Sequence, residues 1–142
     1  LLPWVATVDA FQHWLYAHPA HTREERRSAW VATYTRFHRG VDWSGYEEAL
    51  GYQWHRQLHI FLHPLYYIEY GIAQMGALQV WLRSRTDYRD AVARYRAALA
   101  LGGTRPLPEL FGTAGARFRF DAETVAPLAE ALAEELAKTP DA

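Results

Sequence analysis

Apolar residues recur every three to four positions through nearly the whole chain, and no run of four or more residues alternates cleanly between apolar and polar. That period belongs to amphipathic helices, so the pattern predicts an all-α protein. A first helix is expected from about Pro3 to Ala17, with Trp4, Val8, Phe11, Trp14 and Leu15 on one face. Pro3 suits a first helical turn, and His18-Pro19 ends the helix. Thr22 and Glu25 have the spacing of a capping box for a second helix, which turns Trp30, Tyr34 and Phe37 inward and stops at Gly40. "GVDWSGYEEALGY" then reads as a loop and a short helical turn, with Asp42, Ser44 and Gly45 as turn formers.

The third helix contains "WHRQLHIFLHPLYYIEYGIAQ", Trp54 to Gln74, and continues past Pro64 to Arg83. A proline there either starts a new helix or kinks a long one. A fourth helix is expected from Thr86 or Asp87, with Tyr88, Val92, Tyr95 and Leu99 inward and a glycine C-cap in "LGG". "TRPLPELFGTAGARFRF" reads as a connection punctuated by Pro and Gly. Asp121 caps a last helix to about Lys138, in which Pro127 marks an early kink or a second start. No repeat, low-complexity tract or linker interrupts the series, so residues 1–142 read as a single helical segment.

Composition narrows the function classes. Half of the residues are apolar and 15% aromatic, with six Trp and nine Tyr, which excludes a disordered chain. A formal charge of −1 with no concentrated basic patch argues against a nucleic-acid partner. With no cysteine there is no disulfide framework, Cys-based zinc site or thiol nucleophile, a usage that accords with a cytoplasmic protein. The most apolar run, Leu65 to Leu82, approaches the roughly 20 residues of a membrane span but carries Glu69, Gln74, Gln79 and two glycines. It reads as a buried core helix, with no membrane partner. The chain opens on an amphipathic helix without an initiator Met or a charged leader, which suggests a piece of a longer protein.

Candidate chemistry concentrates in the third helix. His55, His59, His63, Tyr67, Tyr70 and Gln74 follow one another at steps of four, four, four, three and four, which places them on one stripe if Pro64 bends the helix only modestly. Such a stripe is either a helix–helix contact of amphipathic aromatics or the wall of a site. "HRQLH" has the i, i+4 histidine pair of a helical zinc site, which His63 would extend. A zincin, however, needs Glu directly after its first histidine, where this chain has Arg56, and no histidine here is followed by Glu. Ligands spread over two turns of one helix also converge poorly on a single tetrahedral ion. Gly71, Ala73, Gly76 and Ala77 form a small-residue patch suited to close helix packing. The runs "TREERR" and "AEALAEELAK" read as solvated faces, and Arg94, Arg96, Arg117 and Arg119 as surface charges.

Four stretches, "DAFQHWLYAHP", "WHRQLHIFLHPLYYIEYGIAQMGALQVW", "ALALGGTRPLPELFGTAG" and "RFRFDAETVAPL", together resemble the C-terminal part of the oligoendopeptidase F branch of the thimet-oligopeptidase family. The resemblance covers essentially the whole chain. It implies an all-α helical bundle forming the C-terminal part of a zincin-like catalytic domain, and a zinc-dependent metalloendopeptidase acting on short peptides. The family's HExxH helix and its glutamate ligand are not found in these 142 residues. The resemblance therefore implies zinc in the intact enzyme, none held by this segment, and the remainder of the peptidase chain as a partner. By the same matching, His59, Tyr67 and Tyr70 are the expected catalytic groups, with His55, His63 and Tyr66 as substrate-binding neighbours. The alternative reading is a non-catalytic helical module that binds peptides or a partner through the same aromatic groove.

Overall fold

The computed structural model describes residues 1–139, and every regular element among them is helical: α1 Leu2–Ala17, α2 Arg23–Phe37, α3 Glu47–Tyr52, α4 His59–Leu62, α5 Ile68–Ser84, α6 Tyr88–Leu101, α7 Leu107–Thr113 and α8 Ala122–Leu136, with a 3-10 turn at Gln53–Arg56. The all-α expectation holds. The chain divides into two compact units, Leu1–Ile72 and the residues from Ala73 onward.

In the first unit α1 begins one residue before Pro3 and ends where expected, at Ala17. The capping box of α2 forms as read: Thr22 Oγ1 accepts from the Glu25 backbone N–H at 3.2 Å, and the Glu25 carboxylate accepts from the Thr22 N–H at 2.7 Å. Val8, Phe11, Trp30, Tyr34, Leu50, Trp54 and Ile60 make the core, against which Trp4, Trp14, Leu15, Trp43 and Tyr67 pack. Phe11 meets the edge of Trp30 at 5.1 Å, and the Trp30 indole N–H donates to the Leu50 carbonyl at 2.9 Å, so the largest buried ring also has its polar atom satisfied. In the loop before α3, Asp42 Oδ1 accepts from the Ser44 N–H at 2.9 Å and Gly45 takes φ 82°, the turn chemistry expected of those residues.

The single third helix does not form. Its sequence is divided among the 3-10 turn, the one-turn α4 and α5, so that of the two outcomes open at Pro64 a new helix begins beyond it, and α3 is the short helical turn expected before it. Pro64 offers no N–H to continue α4, and His63 before it is driven out of the helical region to φ −132°, ψ 79°. Leu65 then takes φ 55°, a left-handed conformation that costs an L-residue roughly 1–2 kcal/mol. Gly71 justifies the close-packing reading, because a Cβ there would meet Val5 Cγ1 at 3.1 Å.

In the second unit Asp87 and Asp121 cap α6 and α8 by accepting from the backbone N–H groups of Asp90 and Thr124, each at 3.0 Å. Gly102 closes α6 at φ 54°, and Pro127 lies inside α8. Two expectations are corrected. Tyr88, Tyr95 and Leu99 are exposed, and the buried residue of α6 is Ala91. The proline-punctuated connection contains α7, with Pro106 as N-cap and Pro108 in the first turn, where a missing N–H costs a helix nothing. Gly76 faces Phe111 of α7, whose ring a Cβ would meet at 3.0 Å. Among the described residues no helix is long and apolar enough to cross a membrane.

Candidate functional site

The break at Pro64 brings together what a straight helix would have spread along one face. His59 opens α4, and the turn through Pro64 and Leu65 brings Tyr66, Tyr67 and Tyr70 back around its imidazole. Tyr67 and Tyr70 present their rings to His59 at centroid distances of 4.9 and 5.7 Å, both near perpendicular, while Tyr66 lies parallel at 6.5 Å. His63 is 5.5 Å from His59. His59 Nε2 lies 3.2 Å from the Tyr70 hydroxyl. Tyr66 and Tyr70 are exposed, and Tyr67 is half-buried against the core, so one side of the cluster is anchored and the other open.

Support comes from residues the sequence did not single out. Gln57 Nε2 is 2.7 Å from His59 Nδ1, and Gln57 Oε1 accepts from the Trp4 indole N–H at 2.9 Å. Gln12 is fully buried, and its amide nitrogen reaches the carbonyls of both His59 and His63 at 3.4 Å, tying both ends of α4 to α1. The one available signal was Trp4, an indole on a core face, whose N–H needs an acceptor when buried. That acceptor lies 53 residues away, beyond the reach of local pattern.

His55 does not join the cluster. The 3-10 turn breaks the period of four, and His55 packs on Trp54 and Tyr52 at 4.1 and 5.5 Å, near Arg23, Arg26 and Arg27. The "HRQLH" pair is therefore not a pair of ligands. Among the described residues no three His, Asp or Glu side chains are grouped so as to hold a metal. Both nitrogens of His59 already face an amide nitrogen and a hydroxyl, so these residues do not fit a zinc ion. Imidazole and phenol groups can act as hydrogen-bond donors and acceptors instead.

The second unit holds a separate cavity of about 560 Å³, lined by Gln79, Arg83, Asp90, Arg117, Glu123 and Leu128 among others. Arg83 and Arg94 both donate to Asp90, and the Arg83 hydrogen bond chiefly holds that carboxyl below its ordinary pKa. Of the arginines read as surface charges, Arg117 pairs with Glu123 at 3.7 Å and Arg119 with Asp121 at 2.7 Å.

No protein-family model and no curated protein sequence matches the chain. Two solved structures do: PZ peptidase A bound to an inhibitor, and a protein assigned as an oligoendopeptidase F. Each is 34% identical to this chain over 98% of its residues, with a TM-score of 0.88. The chain spans only 25% of the length of either. The likeness to oligoendopeptidase F expected from the motifs is thus present in sequence and in three dimensions, and the helical architecture is that of part of an oligopeptidase.

Proposed function

We propose that this chain is the C-terminal part of a cytoplasmic zinc endopeptidase of short peptides, and that its His59 cluster lines the substrate channel with hydrogen-bond donors. The observation that supports this most is the pairing of His59 Nε2 with the Tyr70 hydroxyl at 3.2 Å, on the open side of a cluster whose other side is fixed by Tyr67, Gln57 and Gln12. Hydrolysis of a peptide develops negative charge on the carbonyl oxygen, and donors already aimed at that oxygen stabilise the transition state without reorganising. In this reading Tyr70 and Tyr67 are the donors to the developing oxyanion, His59 completes the catalytic set by hydrogen-bonding the Tyr70 hydroxyl through Nε2, and His63 and Tyr66 border the bound peptide. His55, remote from them, contacts peptide only if the channel extends past Trp54. In this reading the zinc is held by the remainder of such an enzyme.

The test is Tyr70→Phe, with Tyr67→Phe beside it, in the intact peptidase. Loss of one oxyanion donor is expected to lower kcat about 100- to 1000-fold. Zinc content should stay unchanged. Full turnover in both variants would remove the catalytic assignment. The alternative reading is a module that binds peptides through the same aromatic cluster without cutting them. It requires peptide binding to persist with no hydrolysis even when the rest of the peptidase is supplied.

A further inference from the structure

From the hydrogen-bond chain Trp4–Gln57–His59–Tyr70 we infer that Trp4 and Gln57 are positioning residues that fix the tautomer of His59, keeping its proton on Nε2 and directed at Tyr70. The inference adds a device to the proposed donor cluster, but its geometry stands apart from any peptidase role.

The direction of the chain follows from what each group can and cannot do. An indole N–H only donates, so the Gln57 atom that meets Trp4 Nε1 at 2.9 Å is the amide oxygen. The opposite end of the same amide, its NH2, is then the end facing His59 Nδ1 at 2.7 Å. An NH2 group has no lone pair to accept with, so Nδ1 must be the acceptor. The ring proton of the neutral imidazole therefore sits on Nε2, where it donates to the Tyr70 oxygen at 3.2 Å. With its oxygen already accepting from His59, Tyr70 keeps its own O–H free to donate elsewhere.

Trp4 is itself well held. Its ring meets the edge of the fully buried Trp30 at 5.8 Å, and the Arg56 guanidinium lies over it at 4.6 Å. The indole cannot easily turn to release the amide. Trp4 acts at His59 only through Gln57, across the 53 residues that separate the two partners in sequence.

Nitrogen-15 NMR of the histidine side chains in the intact protein tests this, with the His59 signals assigned by their loss in His59→Asn. In the parent protein His59 Nδ1 should resonate as an unprotonated nitrogen and Nε2 as a protonated one. Gln57→Glu replaces the donor with an acceptor and should move Nδ1 into the protonated region. Trp4→Phe frees the amide to rotate and should produce a mixture of tautomers, whereas Gln57→Asn, with Trp4 present, should restore the parent pattern in part. A parent His59 protonated at Nδ1, or a pattern unmoved by both Gln57→Glu and Trp4→Phe, would overturn the inference. Peptide hydrolysis by the same variants answers a different question. A tautomer that switches with no change in kcat keeps this inference and counts against the catalytic role of the cluster.

Discussion

The unit spanning Leu1–Ile72 is held by large aromatic rings, and the unit from Ala73 onward by small residues and charged clamps. In the first, Phe11 and Trp30 are fully buried, and Trp4, Trp14 and Trp54 pack around them. In the second, four of the buried residues are alanines (Ala91, Ala114, Ala116 and Ala131), joined by Met75, Leu78 and Leu128. Polar ties supplement that thinner core: Arg83 and Arg94 on Asp90, and Gln79 both donating to and accepting from the Arg117 backbone, at 3.0 and 2.8 Å. All seven histidines fall in the first unit. Large amphipathic rings supply buried area and a polar handle together, so the region that packs on them is also the region able to present donors.

The sharpest way to break this comparison is Trp30→Ala. Removing a buried ring of that size costs about 3–5 kcal/mol, and it also leaves the Leu50 carbonyl without its 2.9 Å donor. Amide hydrogen exchange should show first-unit protection collapsing while α6 to α8 lose less. Equal loss in both regions would mean that the aromatic core stabilises the whole chain rather than its own unit. A smaller effect is expected from Gly115→Ala in the second unit. Gly115 has φ 77°, and an added Cβ would approach Arg94 Cδ at 3.1 Å and Arg83 Cδ at 3.3 Å. The left-handed backbone costs alanine roughly 1–2 kcal/mol. The two arginines can yield, and exposed pairs of that kind contribute only about 0–1 kcal/mol each. Urea unfolding should therefore move by no more than that sum, with protection around α6 and α8 falling first.

The same contrast explains what could be read from sequence. Capping residues act within three positions, so Thr22 with Glu25 and Asp121 were legible as caps, while the start of α6 was narrowed to Thr86 or Asp87, of which Asp87 is the cap. Large apolar residues at helical spacing located the first core correctly through Val8, Phe11, Trp30 and Tyr34. The same rule failed on α6, because a contact made by Ala91 leaves Tyr88 and Tyr95 outside, and a pattern weighted by size cannot see a small-residue contact. The site was half legible. His59, His63, Tyr66, Tyr67 and Tyr70 do meet, but by a chain reversal at Pro64 and Leu65 instead of along a stripe. His55 falls out of the set for a different reason, the 3-10 turn at Gln53–Arg56 that breaks the period of four before α4. Gln57 and Gln12 act through bonds spanning about fifty residues, and no local pattern carries such information.

The smallest expected effect concerns pH, and it too separates the two units. The His38 ring stacks on Tyr34 at 4.2 Å and meets the edge of Trp4 at 6.1 Å, with its Nε2 buried and without a protein partner. Burial lowers its pKa from the ordinary 6.5. As pH falls below that value the unfolded chain takes up the proton before the folded one does. The first unit should therefore lose stability from about pH 6.5 downward, until the pH has passed the folded-state pKa, beyond which this loss levels off. The second unit has no histidine to follow it, so its protection should stay level between about pH 7 and about pH 5 once intrinsic exchange rates are corrected. His38→Phe keeps a ring against Tyr34 but removes the titrating nitrogen, so it should flatten the first unit's slope. A slope that survives His38→Phe would overturn the assignment of the effect to His38.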